Sequence, residues 1–505
     1  MLKINKTNLF FIIIAIIHFI LVLQKTPYQT YFTQEQAITW IAVKLVSFLL
    51  IILFWQFIPY SIAQLKAKNK DFKDFLIFSI IYFIINFSVL ILIWPGHTHS
   101  EFLHMYFDQK AFSLIFFWHW LSSFEIAITY NILPYIWGVT VVNAILQSFI
   151  VGYCTYLVKN KISKNFYWLT FIPFLLPAVL IQNHSPIRLI LITWLTVFLF
   201  TYLFIHSRNE TKNNWVAFLI GILTGIILSI RTEYYPLIFL LPIMILCLKI
   251  FEKKIYKTFL VSLLITFISI TGLQKINMSD TYELHNLCFV YEEIVNNNLQ
   301  NKNFENDKNI LKKVFIELDE KGHDSEIDVS NKKNTKQALF VLTKMLLENS
   351  EHFLKRSINF YTNWDIIITS KNSYEPTPDF HFRDQINKEI KPINSELRDK
   401  VIQTFTYGTE KHNISYIYNP YINLFLLGFL FIYGLIKRTS FYTFFAISWL
   451  TIIFVILLTM PWANYLYLWA FFLNTWLFFF YAIAEILQFI YDFIKQKIQN
   501  NNLIN

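Results

Sequence analysis

Long blocks of apolar residues alternate with short polar segments along most of this sequence. Most of the blocks approach the ~20 residues that a helix needs to cross a bilayer, and one long polar stretch interrupts the series. The twelve blocks lie at 9–23, 41–60, 75–94, 136–158, 166–181, 188–206, 215–231, 234–251, 258–273, 420–436, 440–460 and 464–489. This pattern predicts an all-α polytopic membrane protein with about twelve transmembrane helices.

The polar stretch divides the chain into three regions. Residues 1–273 are predicted to form an N-terminal transmembrane region, and residues 419–505 a C-terminal one. Between them, residues 274–418 carry helical periodicity at Asn309–Leu318 and Thr335–Phe353. We therefore expect a small, mainly helical domain between two groups of membrane helices.

Composition excludes most other classes of protein. The chain is 55% hydrophobic and 15% charged, which leaves too few charges to cover a soluble surface. The net charge of +10 is divided unevenly, because residues 275–418 hold 22 acids against 19 Lys and Arg, a net −3. The basic excess therefore belongs to the membrane regions and implies no nucleic-acid partner.

Basic residues also predict the orientation. If the blocks cross in turn, 19 Lys and Arg fall on one side and four, Lys25, Lys110, Arg188 and Arg231, fall on the other. The positive-inside rule then places both termini in the cytoplasm and residues 274–418 outside. A plasma (inner) membrane location follows. The 19 are Lys3, Lys6, Lys66, Lys68, Lys70, Lys73, Lys159, Lys161, Lys164, Arg208, Lys212, Lys249, Lys253, Lys254, Lys257, Lys437, Arg438, Lys495 and Lys497.

Residues 113–133 are apolar enough to resemble a further span. A crossing there would reverse the side of every later lysine cluster, so we interpret this segment as an interfacial or re-entrant helix pair on the outer side. It belongs to a large first outer loop, residues 95–135, in which we expect the catalytic residues to lie.

Ionisable residues near a membrane boundary are costly and are therefore candidates for function. In the first outer loop, Pro95 and Gly96 end the third block, and Glu101 follows as a candidate general base. The spacing His97-x-His99-x-Glu101-x-x-His104 uses metal-ligand residue types, so a divalent metal is possible there, although histidines are also common at interfaces.

Two further clusters occupy the same predicted side. Arg231 and Glu233 follow the seventh block, where an arginine suits bidentate phosphate binding and Glu233 either orients it or forms a structural bridge. His184 and Arg188 flank a short loop and are candidates for holding an anionic head group, although a snorkelling Arg188 is an equal alternative.

Several of these features together resemble the GT-C superfamily of integral-membrane glycosyltransferases, which includes the protein O-mannosyltransferases and the aminoarabinose transferases of lipid A. The resembling residues are the Pro-Gly and acid of Trp94–Glu101, His119 in the interfacial segment, Arg231 and Glu233 with the span after them, and Pro461–Tyr467. The chain departs from the pattern in having Glu101 where an aspartate is usual, and Asn464 where an arginine is frequent.

The resemblance implies that a sugar on a polyprenyl phosphate is transferred with inversion to an acceptor hydroxyl at the outer face. Glu101 maps to the catalytic base, with Asp108 as the alternate. Arg231, Arg188 and His184 map to binding of the donor phosphate. The supporting residues are Glu233, His119 and Tyr465.

Two other classes remain open from the sequence. An O-antigen-type polymerase or ligase also has about a dozen spans, but it would use outer-loop arginines, and residues 274–418 contain three, Arg356, Arg383 and Arg398. A non-enzymatic transporter of lipid-linked glycans would need polar residues in mid-span, and Lys44 is one of few. The sugar, the acceptor and the oligomeric state are left open.

Overall fold

The structure is a computed structural model, and it is helical throughout the part of the chain that it describes, with no strand there. The described residues are 6–25, 34–94, 96, 120–184, 188–207, 212–277, 284, 290–291, 293–294, 304–314, 332–362, 393–402, 420–438, 440–459 and 468–502.

Two short 3₁₀ segments, Tyr167–Phe171 and Thr232–Tyr234, stand among the α-helices. The α-helices of the described residues are α1 Lys6–Lys25, α2 Gln34–Lys66, α3 Lys70–Leu92, α4 Trp120–Tyr130, α5 Ile136–Lys161, α6 Ile172–Leu175, α7 Pro177–Gln182, α8 Arg188–His206, α9 Asn214–Ile230, α10 Leu237–Cys247, α11 Lys253–Asn277, α12 Phe304–Leu311, α13 Lys332–Glu348, α14 Ser350–Thr362, α15 Ser395–Ile402, α16 Pro420–Lys437, α17 Ser440–Thr459 and α18 Trp469–Asn502.

Eight helices of the described chain are long and apolar enough to cross a membrane: α1, α2, α3, α5, α8, α11, α17 and α18. Three shorter apolar helical stretches, 214–230, 232–247 and 421–437, accompany them. The chain is therefore a multi-pass membrane protein, as the apolar blocks predicted. The predicted count of about twelve is not confirmed, since eight helices meet the requirements of length and hydropathy.

Helices α3 and α5 form an antiparallel pair that defines the two ends of the bundle. At one end, Lys159 contacts Asp74 at 2.7 Å; at the other, the rings of Trp94 and Trp137 lie 5.6 Å apart. The pair is tight because a Cβ at Gly152 would come within 2.0 Å of an oxygen of Ser79. We call the end with Lys159 the lysine-rich end and the opposite one the lysine-poor end.

The predicted span at 166–181 is a broken helix, made of a 3₁₀ segment, α6 and α7. Pro177 causes one break, since a proline donates no backbone hydrogen bond and the residue before it is held out of the helical region. The segment still runs along α3, because Tyr167 packs on Phe78 and Phe174 packs on Tyr82.

Helices α9 and α11 pack in parallel, with the shorter α10 between them in the chain. A Cβ at Gly221 would meet Ser262, and one at Gly225 would meet Thr266. This G-x-x-x-G spacing lets the two backbones approach closely, as in many membrane helix pairs. Lys212 and Glu252, which precede the two helices, form an ion pair at 3.4 Å.

Helix α4 covers part of residues 113–133, the segment that we interpret as not crossing the membrane. Its 11 residues extend about 16 Å at 1.5 Å per residue, roughly half of the ~30 Å hydrocarbon core. The helix packs against α2, α5, α9 and α11. Residues 113–119 lie outside the described residues.

The described part of residues 274–418, here called the middle domain, has its own small core. Buried residues of α12, α13 and α14 contribute to it, and Arg356 of α14 contacts Glu293 at 2.8 Å. Helix α14 packs on α17 and α16, and α15 packs on α3. The middle domain is therefore held against the membrane helices at two places. The buried core residues are Leu284, Val290, Tyr291, Ile294, Leu311, Val314, Ala338, Val341, Leu342, Met345, Leu346 and Phe353.

Candidate functional site

Most of the residues predicted for catalysis fall where the structure gives no description. The predicted roles of these residues therefore stay predictions. Of Arg188, the structure describes the backbone, which begins α8. His184, Arg231 and Glu233 are described in full. The residues outside the described chain are His97, His99, Glu101, His104, Asp108, His119 and Tyr465.

A buried polar network connects four elements toward the lysine-poor end. The Asn183 amide donates to Tyr82 at 2.8 Å and to Asn86 at 3.2 Å. The Asn86 amide in turn donates to Gln147 at 2.9 Å, and the Trp194 indole donates to the Asn183 side-chain oxygen at 3.2 Å. All five side chains are buried. Because unpaired polar groups are costly in a membrane, the network locks α3, α5, α7 and α8 into one arrangement.

His184 follows this network and is fully buried. Its Nε2 contacts the backbone oxygen of Asn86 at 2.9 Å, so Nε2 carries the proton and donates. Burial lowers the pKa of His184 to about 3, which keeps the ring neutral. Among the described residues Nδ1 has no partner, so it presents an acceptor lone pair. This ring suits a hydroxyl group or a water better than an anion.

Gly96 lies near the start of the loop that begins at residue 95, directly against His184. It has a φ of +116°, and a Cβ there would stand 2.8 Å from the His184 carbonyl oxygen and 3.3 Å from Thr140. Arg398 of the middle domain donates through Nη2 to the Gly96 carbonyl at 3.1 Å. Helix α15 therefore holds the base of the loop in which Glu101 was predicted as the catalytic residue.

Arg231 and Glu233 form a bidentate ion pair at the lysine-poor end of α9. The Arg231 Nε donates to one Glu233 carboxylate oxygen at 3.0 Å, and Nη2 donates to the other. Their side chains are 5% and 3% exposed, and the neighbouring Tyr234 packs edge-on against Trp449. The ion pair fits either predicted role of Glu233, orienting Arg231 for phosphate binding or forming a structural bridge, and those roles stay predictions. The edge of the guanidinium that carries Nε and Nη2 faces Glu233. This contact fixes the orientation of the Arg231 side chain.

Glu125 on α4 is a second carboxyl group toward the lysine-poor end. Unlike Glu233, which is buried, it is half-buried. Burial raises its pKa to about 7, although a hydrogen bond from the Asn143 side chain opposes the shift. Helix α4 is too short to count among the candidate spans. A carboxyl group whose pKa lies near neutral pH is able to exchange protons under physiological conditions.

No metal centre is visible in the described part of the chain, where no three His, Cys, Asp or Glu side chains converge. The histidines predicted as ligands lie outside it. Three groups toward the lysine-poor end are available individually: the neutral ring of His184, the guanidinium of Arg231 in its ion pair, and the carboxyl group of Glu125. These groups can bind hydroxyls, contact an anion and transfer a proton.

Sequence reasoning missed the Asn86–Asn183 network and the role of Arg398. Each is a contact between residues far apart in the chain, 97 positions for the two asparagines and 302 for Arg398 and Gly96. A usable signal was present for the network, since asparagine and glutamine side chains inside apolar blocks need partners.

Comparison of the chain with protein-family models, with curated proteins and with solved structures gave no match.

Proposed function

We propose that this chain is an integral-membrane glycosyltransferase that moves a sugar from a polyprenyl-phosphate donor to an acceptor hydroxyl. The observation that carries the proposal is the burial of the ionisable side chains of Arg231, Glu233 and His184 toward the lysine-poor end, where Glu125 is half-buried and has a raised pKa. Such groups are costly beside lipid and mark functional sites. A lipid-linked donor fits this location, because its chain stays in the bilayer while its phosphate stands at the boundary.

The proposed topology has twelve crossings. The eight candidate spans, the three shorter apolar stretches and the broken segment at 167–182 account for them. The antiparallel packing of α3 with α5 and the parallel packing of α9 with α11 support the alternation that this count requires. In this topology the lysine-rich end and both termini are cytoplasmic, and residues 274–418 lie outside.

In the proposed reaction the acceptor oxygen attacks the anomeric carbon as the bond from that carbon to the phosphate oxygen breaks. Glu101 accepts the hydroxyl proton, with Asp108 as the alternate base. The polyprenyl phosphate leaves with an additional negative charge, which Arg231, with Arg188, stabilises. Attack from the face opposite the leaving group inverts the configuration of the sugar.

The structure of His184 changes its part in this scheme. A neutral ring whose buried Nδ1 lone pair has no partner among the described residues repels a phosphate oxygen but accepts a hydrogen bond from a hydroxyl. We therefore assign His184 to a water or a sugar hydroxyl, and donor-phosphate binding to the arginines. The middle domain would position the catalytic loop through Arg398 and Gly96.

The decisive experiment compares sugar transfer from a polyprenyl-phosphate sugar by the purified protein and by Glu101→Ala. We expect the variant to insert and fold normally and to lose transfer by at least a hundredfold, the lower range for a general base. Glu351→Ala, which removes an exposed acid of α14, is the matched control and should transfer normally.

Four outcomes would redirect the proposal. Normal transfer by Glu101→Ala together with loss in Asp108→Ala would move the base to Asp108. Products that grow as a polymer would favour a polymerase, and movement of a lipid-linked glycan without any transfer would favour a transporter. Loss of transfer on adding a chelator, restored by a divalent cation, would place a metal in the loop histidines.

A further inference from the structure

A groove runs between α9 and α11 on the surface of the membrane region, within the half nearer the lysine-rich end. Its volume is about 440 Å³. Val261 and Ile265 in its wall are 56% and 61% exposed, so the groove opens to the surroundings of the bundle, which in this region are lipid. The lining residues are Phe218, Ile222, Lys257, Thr258, Val261, Ser262, Ile265 and Thr266.

The groove is a direct result of the glycine contact between the two helices. At Gly221 the backbone of α9 approaches Ser262 so closely that a Cβ would stand 1.9 Å from its oxygen. The larger side chains on either side, Phe218 and Val261, then form two walls above this narrow floor. The walls are apolar, which suits a hydrocarbon chain.

The end of the groove nearest the lysine-rich end carries positive charge. Lys257 lines the groove, and Lys254 lies one turn earlier on the same face of α11. Both are exposed. Neither pairs with an acid in the described part of the chain, whereas the nearby Glu252 is paired with Lys212 at 3.4 Å. The mouth of the groove therefore keeps two uncompensated cations.

The position of Trp215 indicates how deep in the membrane the lysine-bearing end of the groove lies. Trp215 on α9 is 73% exposed and stands edge-on to Phe218, with ring centroids 5.9 Å apart. Exposed tryptophans at helix ends are typical of the level of the lipid head groups. Lys254 and Lys257 thus lie where a lipid phosphate would be.

We propose that this groove binds one anionic phospholipid, with an acyl chain between Phe218 and Val261 and the head group at Lys254 and Lys257. Basic pockets between membrane helices at a cytoplasmic surface recognise acidic lipids in this way. The site lies at the opposite end of the bundle from the buried Arg231–Glu233 pair. It is independent of the sugar-transfer chemistry, so either proposal can fail without the other.

The test is native mass spectrometry of the purified full-length protein, titrated with phosphatidylglycerol or with phosphatidylcholine of the same chain length. We expect a saturable first phosphatidylglycerol and weaker retention of phosphatidylcholine. The double variant Lys254→Gln/Lys257→Gln should bind phosphatidylglycerol about 30-fold more weakly, since each lysine near an acidic lipid surface contributes roughly fivefold.

Two further variants keep the result specific. Lys70→Gln/Lys73→Gln removes two exposed lysines with the same spacing from the start of α3, at the same end of the bundle, and should bind as the wild type does. Val261→Trp fills the groove while keeping the lysines and should also weaken binding. Equal retention of the two lipids, normal binding by Lys254→Gln/Lys257→Gln, or an equal loss in the α3 variant would overturn the proposal.

Discussion

The ion pairs at the two ends of the helix bundle differ in burial. Those at the lysine-rich end range from Lys159 with Asp74, at 22% and 14% exposure, to exposed pairs. At the lysine-rich end, Lys212 and Glu252 form an ion pair whose side chains are 76% and 40% exposed. At the lysine-poor end, the side chains of Arg231 and Glu233 are 5% and 3% exposed. An exposed pair contributes about 0–1 kcal/mol to stability, whereas a buried pair carries a desolvation cost of several kcal/mol for each ion.

We interpret this difference as one of role, because exposed lysines are of the kind that orient membrane proteins and buried charges are of the kind found at functional sites. Exposed lysines at one end bias insertion into the membrane and need no special surroundings. A buried guanidinium is kept at a cost, and well-packed apolar residues would often be as stable in its place. The lysine-poor end is therefore the end at which to look for chemistry.

The largest expected effect comes from removing one partner of the buried pair. Glu233→Gln leaves the Arg231 guanidinium buried without its carboxylate, which typically costs about 3–5 kcal/mol. Thermal unfolding of the detergent-solubilised protein should show a much lower midpoint than that of the wild type. Glu252→Gln, the same change in the exposed pair, should shift unfolding by less than about 1 kcal/mol.

A double variant sharpens this test. Arg231→Met/Glu233→Leu replaces both charges by apolar side chains and should recover most of the stability. If Arg231 contacts the donor phosphate, the recovered protein should still fail to transfer sugar. Equal destabilisation by Glu233→Gln and Glu252→Gln would show that the two ends do not differ in the way that their burial indicates.

An intermediate effect is expected where the middle domain meets the lysine-poor end. Arg398→Ala removes the charged hydrogen bond to the Gly96 carbonyl, and such bonds contribute about 1.5–3 kcal/mol. If the chain transfers sugar as proposed, we expect kcat to fall at least tenfold while KM for the donor stays unchanged, because the hydrogen bond of Arg398 is made to the loop backbone.

Lys400→Ala is the control for that measurement, since Lys400 is exposed on the same helix. It should leave kcat unchanged. A rise in donor KM for Arg398→Ala, with kcat preserved, would place Arg398 in the donor site and contradict a positioning role.

Membrane spans were predictable where the apolar length and composition of one stretch of sequence are enough to form the helix. The block at 188–206 became α8 with the same bounds, and the block at 440–460 became α17, Ser440–Thr459. Apolar length and composition decide such helices locally. The predicted span at 166–181 is a broken helix, and the prolines that break it, including Pro177, were visible in the sequence.

The candidate site was less predictable because its geometry comes from distant parts of the chain. The pairing of Arg231 with Glu233 could be anticipated from a separation of two residues. The depth at which they are buried could not, because it depends on α17, whose Trp449 packs on Tyr234. The contact of Arg398 with Gly96 had no local signal, since either residue alone suits a surface loop.

The smallest expected effect is the pH dependence that Glu125 introduces. Its pKa is raised by burial to about 7 in the folded protein, from an ordinary value of 4.5. The folded state therefore holds this proton more tightly than the unfolded state does, and stability falls as the pH rises from about 4.5 through 7.

Glu125→Gln removes that titration. We expect equal unfolding midpoints for variant and wild type at about pH 4, and at pH 8 a more stable variant by about 1 kcal/mol, allowing for partial exposure. Glu305→Gln, a change at an exposed position on α12, should show no such growth with pH, and a constant difference between Glu125→Gln and wild type would mean that the Glu125 carboxylate is solvated.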